Sequence, residues 1–135
     1  MLTVKTSVKP SGVNGLGLFA EEKISKGTVV WKYDSRFDIA FDPEEVKTMP
    51  SVQKELIEEY AFLEMKSGKY IYCIDNARFM NHSSVKDNIA DAPSPAGPDN
   101  LSIAKRDIEI GEELLINYRT FDAADAKSKD SYLNS

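Results

Sequence analysis

Two stretches of this chain share one spacing. AEEKISKGTVV at 20–30 and AKRDIEIGEEL at 104–114 each carry an alanine, an isoleucine four residues on, a glycine three beyond it, and an aliphatic residue three further. Glycine enters a left-handed turn without a side-chain clash. Each stretch can therefore place one sharp corner between short extended segments. Any unit of strand, turn and strand can look this way. The alternative is that one glycine-pinned corner is built twice, in a fold of short, sharply turned strands. Either reading gives a mainly β architecture with a small helical insert.

Local signals fill in that architecture. Leu2, Val4, Thr6 and Val8 fall on one side of a half-buried strand. GVNGLGLFA has three glycines in six positions and then Leu18 and Phe19, a tight turn feeding a strand. TVVWKY is β-branched and aromatic, and RFDIAF at 36–41 alternates, so both read as strands. The period then changes. Asp42, Pro43 and Glu45 supply an N-cap, a first-turn proline and a first-turn acid, which predicts a short helix. A second helix is expected over 52–59 with Val52, Leu56 and Ile57 on its apolar side. AFLEMKSGKYIYCI reads as a hairpin turning at Ser67 and Gly68. The stretch 87–100, DNIADAPSPAGPDN, reads as an irregular loop. LSIAK and ELLINY resume as strands, and the tail after Phe121 has helix-permissive alanines.

Composition excludes several classes of function. A chain of 135 residues suits one domain that folds without disulfides. No apolar run approaches the roughly 20 residues needed to span a bilayer, and the start MLTVKTSVKP lacks the apolar core of a signal peptide. The expectation is an intracellular, cytoplasmic protein with no membrane partner. The net charge is −5, and the lysines and arginines are scattered, a poor footprint for a phosphate backbone. Direct nucleic-acid binding is not expected. A basic, lysine-bearing peptide or protein suits an acidic surface better.

The only histidine, His82, lies in RFMNHSS at 78–84. With one histidine and one cysteine, Cys73, no zinc site of Cys and His ligands can close within the chain, and no metal is expected. Ser83 and Ser84 are sequence neighbours of His82, whereas triad members normally converge through the fold. On the heptapeptide alone, a buried histidine satisfied locally is the simplest reading.

NGLG near the start, the aromatic strand WKY, NARFMNHS in the middle and GEELLINY near the end occur in this order. Together they resemble the SET domain, the fold of the main class of protein-lysine methyltransferases, over about residues 3–121. The resemblance implies one SET domain at 1–121, an insert at about 42–70, and a flanking tail or helix at 122–135. The implied fold is the β-clip of short curved sheets, with a C-terminal pseudoknot that brings the two motifs together. The implied cofactor is S-adenosylmethionine, lined by Gly15, Leu16, Gly17, Asn81, His82, Tyr118 and Phe121. On this resemblance His82 meets the adenine largely through backbone atoms, and Asn81 meets the methionine end. Tyr118 is the implied catalytic residue, and Tyr33, Ile103, Tyr118 and Phe121 line the implied substrate channel.

The chain also departs from the family pattern. YDSR follows Tyr33 where a glycine and a glutamate are usual, and no cysteine cluster flanks the domain. Trp31, Tyr33 and Phe121 could equally be ordinary core. A non-catalytic module that binds a peptide or cofactor, and a methyltransferase acting on a small amine, remain open alternatives to a protein-lysine methyltransferase.

Overall fold

The structure, a computed structural model, describes residues 1–95 and 100–123. Strands β1 (Thr6–Pro10) and β2 (Leu16–Ala20) pair as an antiparallel hairpin. A second sheet contains β3 (Val29–Lys32), β7 (Asn81–His82), β8 (Ile89–Pro93), β9 (Asn100–Ala104) and β10 (Leu115–Ile116), in the order β3-β9-β8-β10-β7. A third sheet, in the order β4-β6-β5, contains β4 (Asp38–Phe41), β5 (Phe62–Leu63) and β6 (Tyr70–Cys73). Helices α1 (Pro43–Lys47) and α2 (Ser51–Tyr60) lie between β4 and β5, where the insert was expected. The fold is mainly β, and among the described residues no helix is long and apolar enough to cross a membrane.

The two echoed stretches are two copies of one corner, paired with each other. Ile24 and Ile108 exchange both backbone hydrogen bonds, at 2.9 and 2.8 Å. The Gly27 N–H donates to the Ala104 carbonyl and the Gly111 N–H to the Ala20 carbonyl, each at 2.8 Å. The two glycines have φ of +85° and +90°, where a side chain would be strained. The corners thus drive Ile24 and Ile108 into the main core beside Leu18, Val30, Ile89 and Leu114. Full burial of each isoleucine is worth about 1.5–3 kcal/mol.

Strand β10 lies between β7 and β8, parallel to both, although β7 and β8 follow one another in sequence. The late segment is therefore threaded between two earlier strands. Asn88, buried in the connection between them, holds it there. Its Nδ2 donates to the Glu113 carbonyl at 2.8 Å, and its Oδ1 accepts the Leu115 N–H at 2.9 Å.

Two local expectations give way to tertiary packing, and one strand buries its acid. Only Ile57 of α2 is buried, while Val52 and Leu56 are 77% and 46% exposed. The helix packs on α1 and β6 along a narrow line, so its apolar side turns partly outward. In β4 it is Asp38 that is buried and Ile39 that faces outward. The Asp38 carboxylate accepts from the Asp34 N–H and the amino-terminal nitrogen of Met1, which offsets its desolvation. The stretch 87–100 is not irregular throughout, because Ile89–Pro93 is a strand bonded to β9 on one side and β10 on the other. Pro93 sits at its last position, where a missing N–H interrupts the ladder least. The tail expected as a helix falls, from 124 on, outside the described residues.

Candidate active site

The turn between β1 and β2 sits against Asn81. Gly15 takes φ +45° in an exposed turn, with open space around it. The two N–H groups of Asn81 Nδ2 are shared among three acceptors, the Asn14 carbonyl at 3.1 Å, the Leu16 carbonyl at 3.0 Å and Glu113 Oε1 at 3.0 Å. Ser11 Oγ donates to the same carboxylate, with Oε1 at 2.7 Å. That carboxylate fills the hollow left by Gly17, since a Cβ built there would stand 2.1 Å from Glu113 Oε1. Asn81 and the glycine turn are thereby one unit, locked by a residue of the threaded segment.

On the other side of β7, His82 and Tyr118 are joined. The Tyr118 N–H donates to His82 Nδ1 at 3.0 Å, so that nitrogen carries no proton. The two rings lie 5.1 Å apart. The Tyr118 hydroxyl donates to the Met80 carbonyl at 2.6 Å. Strand β7 is an edge strand, and Ser83 donates to the Ile116 carbonyl. By strand alternation the backbone groups of His82 point to the outer edge of the sheet.

Tyr118 also walls a cavity of about 590 Å³, with Trp31, Tyr33, Phe62, Ile71 and Phe121 among its lining residues. The aromatic rings form a chain of edge-to-face contacts. Trp31 meets Phe62 at 6.4 Å, Phe62 meets Phe121 at 5.0 Å, and Phe121 meets Tyr118 at 5.9 Å. Phe121 is tied down through its carbonyl, which accepts the Met65 N–H at 3.2 Å. The result is a pocket with an aromatic wall in which the Tyr118 hydroxyl is fixed, on the far side of a two-residue strand from the polar turn.

The sequence matches the SET domain family over residues 15–119. The chain belongs to the SET-domain family. No curated protein matches it in sequence. Among solved structures, it is similar to a Plasmodium falciparum protein assigned as a histone methyltransferase. That pair shares 19% identity at a TM-score of 0.58, over 85% of this chain and 93% of the other. It is also similar to a humanized mutant of the Chaetomium thermophilum Polycomb Repressive Complex 2 bound to an inhibitor. The identity there is 26% and the TM-score 0.63, over 87% of this chain and 15% of the other. The same organism's complex in an autoinhibited conformation, bound to S-adenosylmethionine, shares 22% identity at a TM-score of 0.64, over 92% of this chain and 16% of the other.

Within this SET domain the sites expected from sequence fall into two groups. Gly15, Leu16, Gly17 and Asn81 come together at the turn, while Tyr33, Tyr118 and Phe121 come together around the cavity, with His82 and Tyr118 linking the two. Ile103 joins neither. Strand β9 presents Ser102 to the cavity, and Ile103 is one residue out of phase with it. Two residues escaped sequence reasoning. Glu113 was legible only as part of GEELLINY, and Asn88 lay in a stretch read as loop. A polar residue that bonds across the fold carries no local signal of its partner.

One further cluster lies away from this centre. Asp38, Cys73 and Asp75 bring ligand-type atoms within 4.8 Å of one another. Asp75 accepts from Leu2 and Ala77 through its two oxygens and Asp38 Oδ2 accepts from Asp34, while Asp38 Oδ1 is buried without a hydrogen-bond partner. Burial, and then the neighbouring Asp38 carboxylate, push the Cys73 thiol far above its ordinary range.

Proposed function

We propose that this SET domain transfers a methyl group from S-adenosylmethionine to the side-chain amine of a lysine in a protein or peptide. The observation that carries this reading is the Tyr118 hydroxyl, anchored on the Met80 carbonyl in the wall of the cavity and one strand away from the Asn81 turn. Family membership and the S-adenosylmethionine bound in one structural neighbour support the choice of cofactor. The residues present fit it. The exposed turn at Gly15 and the outward backbone of His82 offer close-approach polar groups. When bound, the cofactor supplies a methyl group on a positively charged sulfur.

The chain's own residues then have to bind, orient and desolvate the amine. A lysine of pKa about 10.4 arrives protonated at neutral pH. Desolvation in the cavity, together with the like charge of a bound sulfonium, would disfavour its charged form and free the lone pair. Because the Tyr118 O–H donates to Met80, the hydroxyl oxygen meets the amine as an acceptor. Tyr118 therefore sets the direction of the amine rather than delivering a proton to it.

Calorimetry with S-adenosylmethionine in the presence of a chelator tests the cofactor. No heat and no thermal stabilisation would remove it from the reading. Methyl transfer to a lysine peptide tests the reaction, with Tyr118→Phe as the discriminating variant. It keeps the ring in the cavity wall, so cofactor affinity stays close to wild type while turnover falls by about 10² to 10⁴. Undiminished transfer by this variant would place the catalytic centre elsewhere. Cofactor binding without transfer to any lysine peptide favours a binding module or a small-amine substrate.

A further inference from the structure

The third sheet gathers three side chains of metal-ligand type. Asp38 of β4 and Cys73 of β6 are direct cross-strand partners. The ladder runs one bond further, from the Ile74 N–H to the Phe37 carbonyl at 2.9 Å. Asp75, two residues past Cys73, therefore returns to the same side, while Ile74 between them is exposed. One ligand atom from each of the three lies within 4.8 Å of the others. A single histidine and a single cysteine rule out a site of Cys and His alone, but here carboxylates supply the remaining donors.

Hydrogen bonding leaves this cluster incomplete. The Asp34 N–H at 2.8 Å and the Met1 amino group at 2.7 Å both serve Asp38 Oδ2. Asp38 Oδ1 has no partner, although the side chain is wholly buried. The polar group facing this residue across the ladder is the Cys73 thiol, a weak donor. Each Asp75 oxygen accepts one N–H, from Ala77 and from Leu2, and keeps a lone pair. Among the described residues Asp75 forms no ion pair. A buried carboxylate oxygen without a donor is costly, and a cation held between the three atoms removes that cost. Coordination needs no water-sized space at Oδ1, because a metal lies only about 2.0–2.3 Å from its ligand atoms, inside the volume they enclose. The way in is short. Asp75 is half-buried, and Met1 and Leu2, which bond to the two carboxylates, also line a solvent-facing hollow of about 490 Å³.

We propose that Asp38, Cys73 and Asp75 bind one divalent transition-metal ion of the zinc class, which ties β4 to the end of β6. The donor set names the class. Magnesium and calcium take oxygen ligands and leave the sulfur unused, while two carboxylates suit a borderline ion such as Zn²⁺ better than Cu(I). On binding, the Cys73 thiol gives its proton to solvent and a sulfur lone pair to the metal, and a water takes the fourth tetrahedral position. None of the three residues belongs to the Asn81 turn or to the Tyr118 pair, so the ion acts on stability and not on the methyl chemistry.

The test strips the full chain with a chelator, removes the chelator and titrates Co²⁺, whose thiolate complexes absorb through a sulfur-to-metal charge-transfer band. Cys73 is the only cysteine, so such a band reports this site alone. It saturates at one equivalent of metal. Zn²⁺ in excess raises the melting temperature, and Mg²⁺ does not. Asp38→Asn and Asp75→Asn each weaken Co²⁺ binding by at least the about 10- to 100-fold that loss of a ligand's supporting partner costs. Asp75 is half-buried and its asparagine still accepts an N–H, so this variant decides the matter where Asp38→Asn does not fold. Glu44→Gln, which changes an exposed acid on α1, leaves the titration at its wild-type value.

A wild type that gives no sulfur band with Co²⁺, or no rise in melting temperature with Zn²⁺, overturns the proposal. So does a band that Asp75→Asn retains at wild-type affinity, because a lone thiol is then the whole site. Neither readout depends on methyl transfer, so the metal site and the proposed activity stand or fall separately.

Discussion

Gly17→Ala is a single methyl group aimed at the lock between the glycine turn and the threaded segment. Gly17 does not use a left-handed backbone, so the substitution tests space rather than conformation. The new Cβ would stand 2.1 Å from Glu113 Oε1 and 2.9 Å from its carboxyl carbon, well inside van der Waals contact. The carboxylate has to swing away. Oε1 then loses the bonds from Ser11 at 2.7 Å and Asn81 at 3.0 Å. Hydrogen bonds to a charged group are worth about 1.5–3 kcal/mol each, and Ser11 can follow the carboxylate in part, so the loss is about 2–4 kcal/mol. Restricting the unfolded chain returns about 0.4–1 kcal/mol. The net destabilisation is about 1–3 kcal/mol, measured by urea unfolding with an unchanged slope.

The same change frees Asn81 from Glu113 and leaves it only the Asn14 and Leu16 carbonyls, so affinity for S-adenosylmethionine is expected to fall with stability. In the Gly17→Ala background a further Glu113→Ala costs little, because its bonds are already broken. The double-mutant cycle therefore shows a coupling comparable to the single effect. A Gly17→Ala protein within about 0.5 kcal/mol of wild type, with additive Glu113→Ala, would refute the lock.

Two other consequences can be measured. Asn88→Ala removes the clamp on the threaded strand and leaves the Glu113 carbonyl and the Leu115 N–H buried without their partner. The expected cost is about 2–5 kcal/mol by chemical denaturation, and a loss below about 1 kcal/mol would show that the threading is held elsewhere. Burial pushes the Glu64 carboxyl up, but the hydrogen bonds from Ser67 and Lys66 together outweigh it and hold it below the ordinary 4.5. A carboxyl whose folded value is depressed contributes its full stability above the unfolded value and loses it as pH falls through the folded one. The amide resonances of Lys66 and Ser67 should thus titrate with a midpoint below 4.5, and a midpoint at or above it would contradict the role of Glu64 in this turn.

What the sequence determined by itself were the features whose physics is local. A glycine in each echoed stretch permits a left-handed corner that other residues would resist, and Gly27 and Gly111 both take one. Pro43 starts a helix because its ring geometry acts within one turn, and α1 begins there, although Asp42 at the N-cap position makes no side-chain cap hydrogen bond. The turn at Gly68 and the strands around it follow for the same reason. NARFMNHS and GEELLINY carried the family through residue identity, and with it came the grouping of Asn81, His82 and Tyr118.

Tertiary structure decided which faces point inward and which segments meet. Val52 and Leu56 look like the buried side of α2, but only neighbouring elements could cover them, and those reach Ile57 alone. Asp38 is buried where the amino group of Met1, far away in sequence, pairs with its Oδ2. Ile89–Pro93 becomes a strand because β9 and β10 bond to it from both sides, against its own turn-rich composition. Ser102 rather than Ile103 reaches the cavity, since one residue of phase along a strand exchanges its two faces and that phase is set by pairing with β3 and β8. The lock of Glu113 into the space at Gly17 joins positions far apart in sequence, and only the threading of β10 brings them within reach.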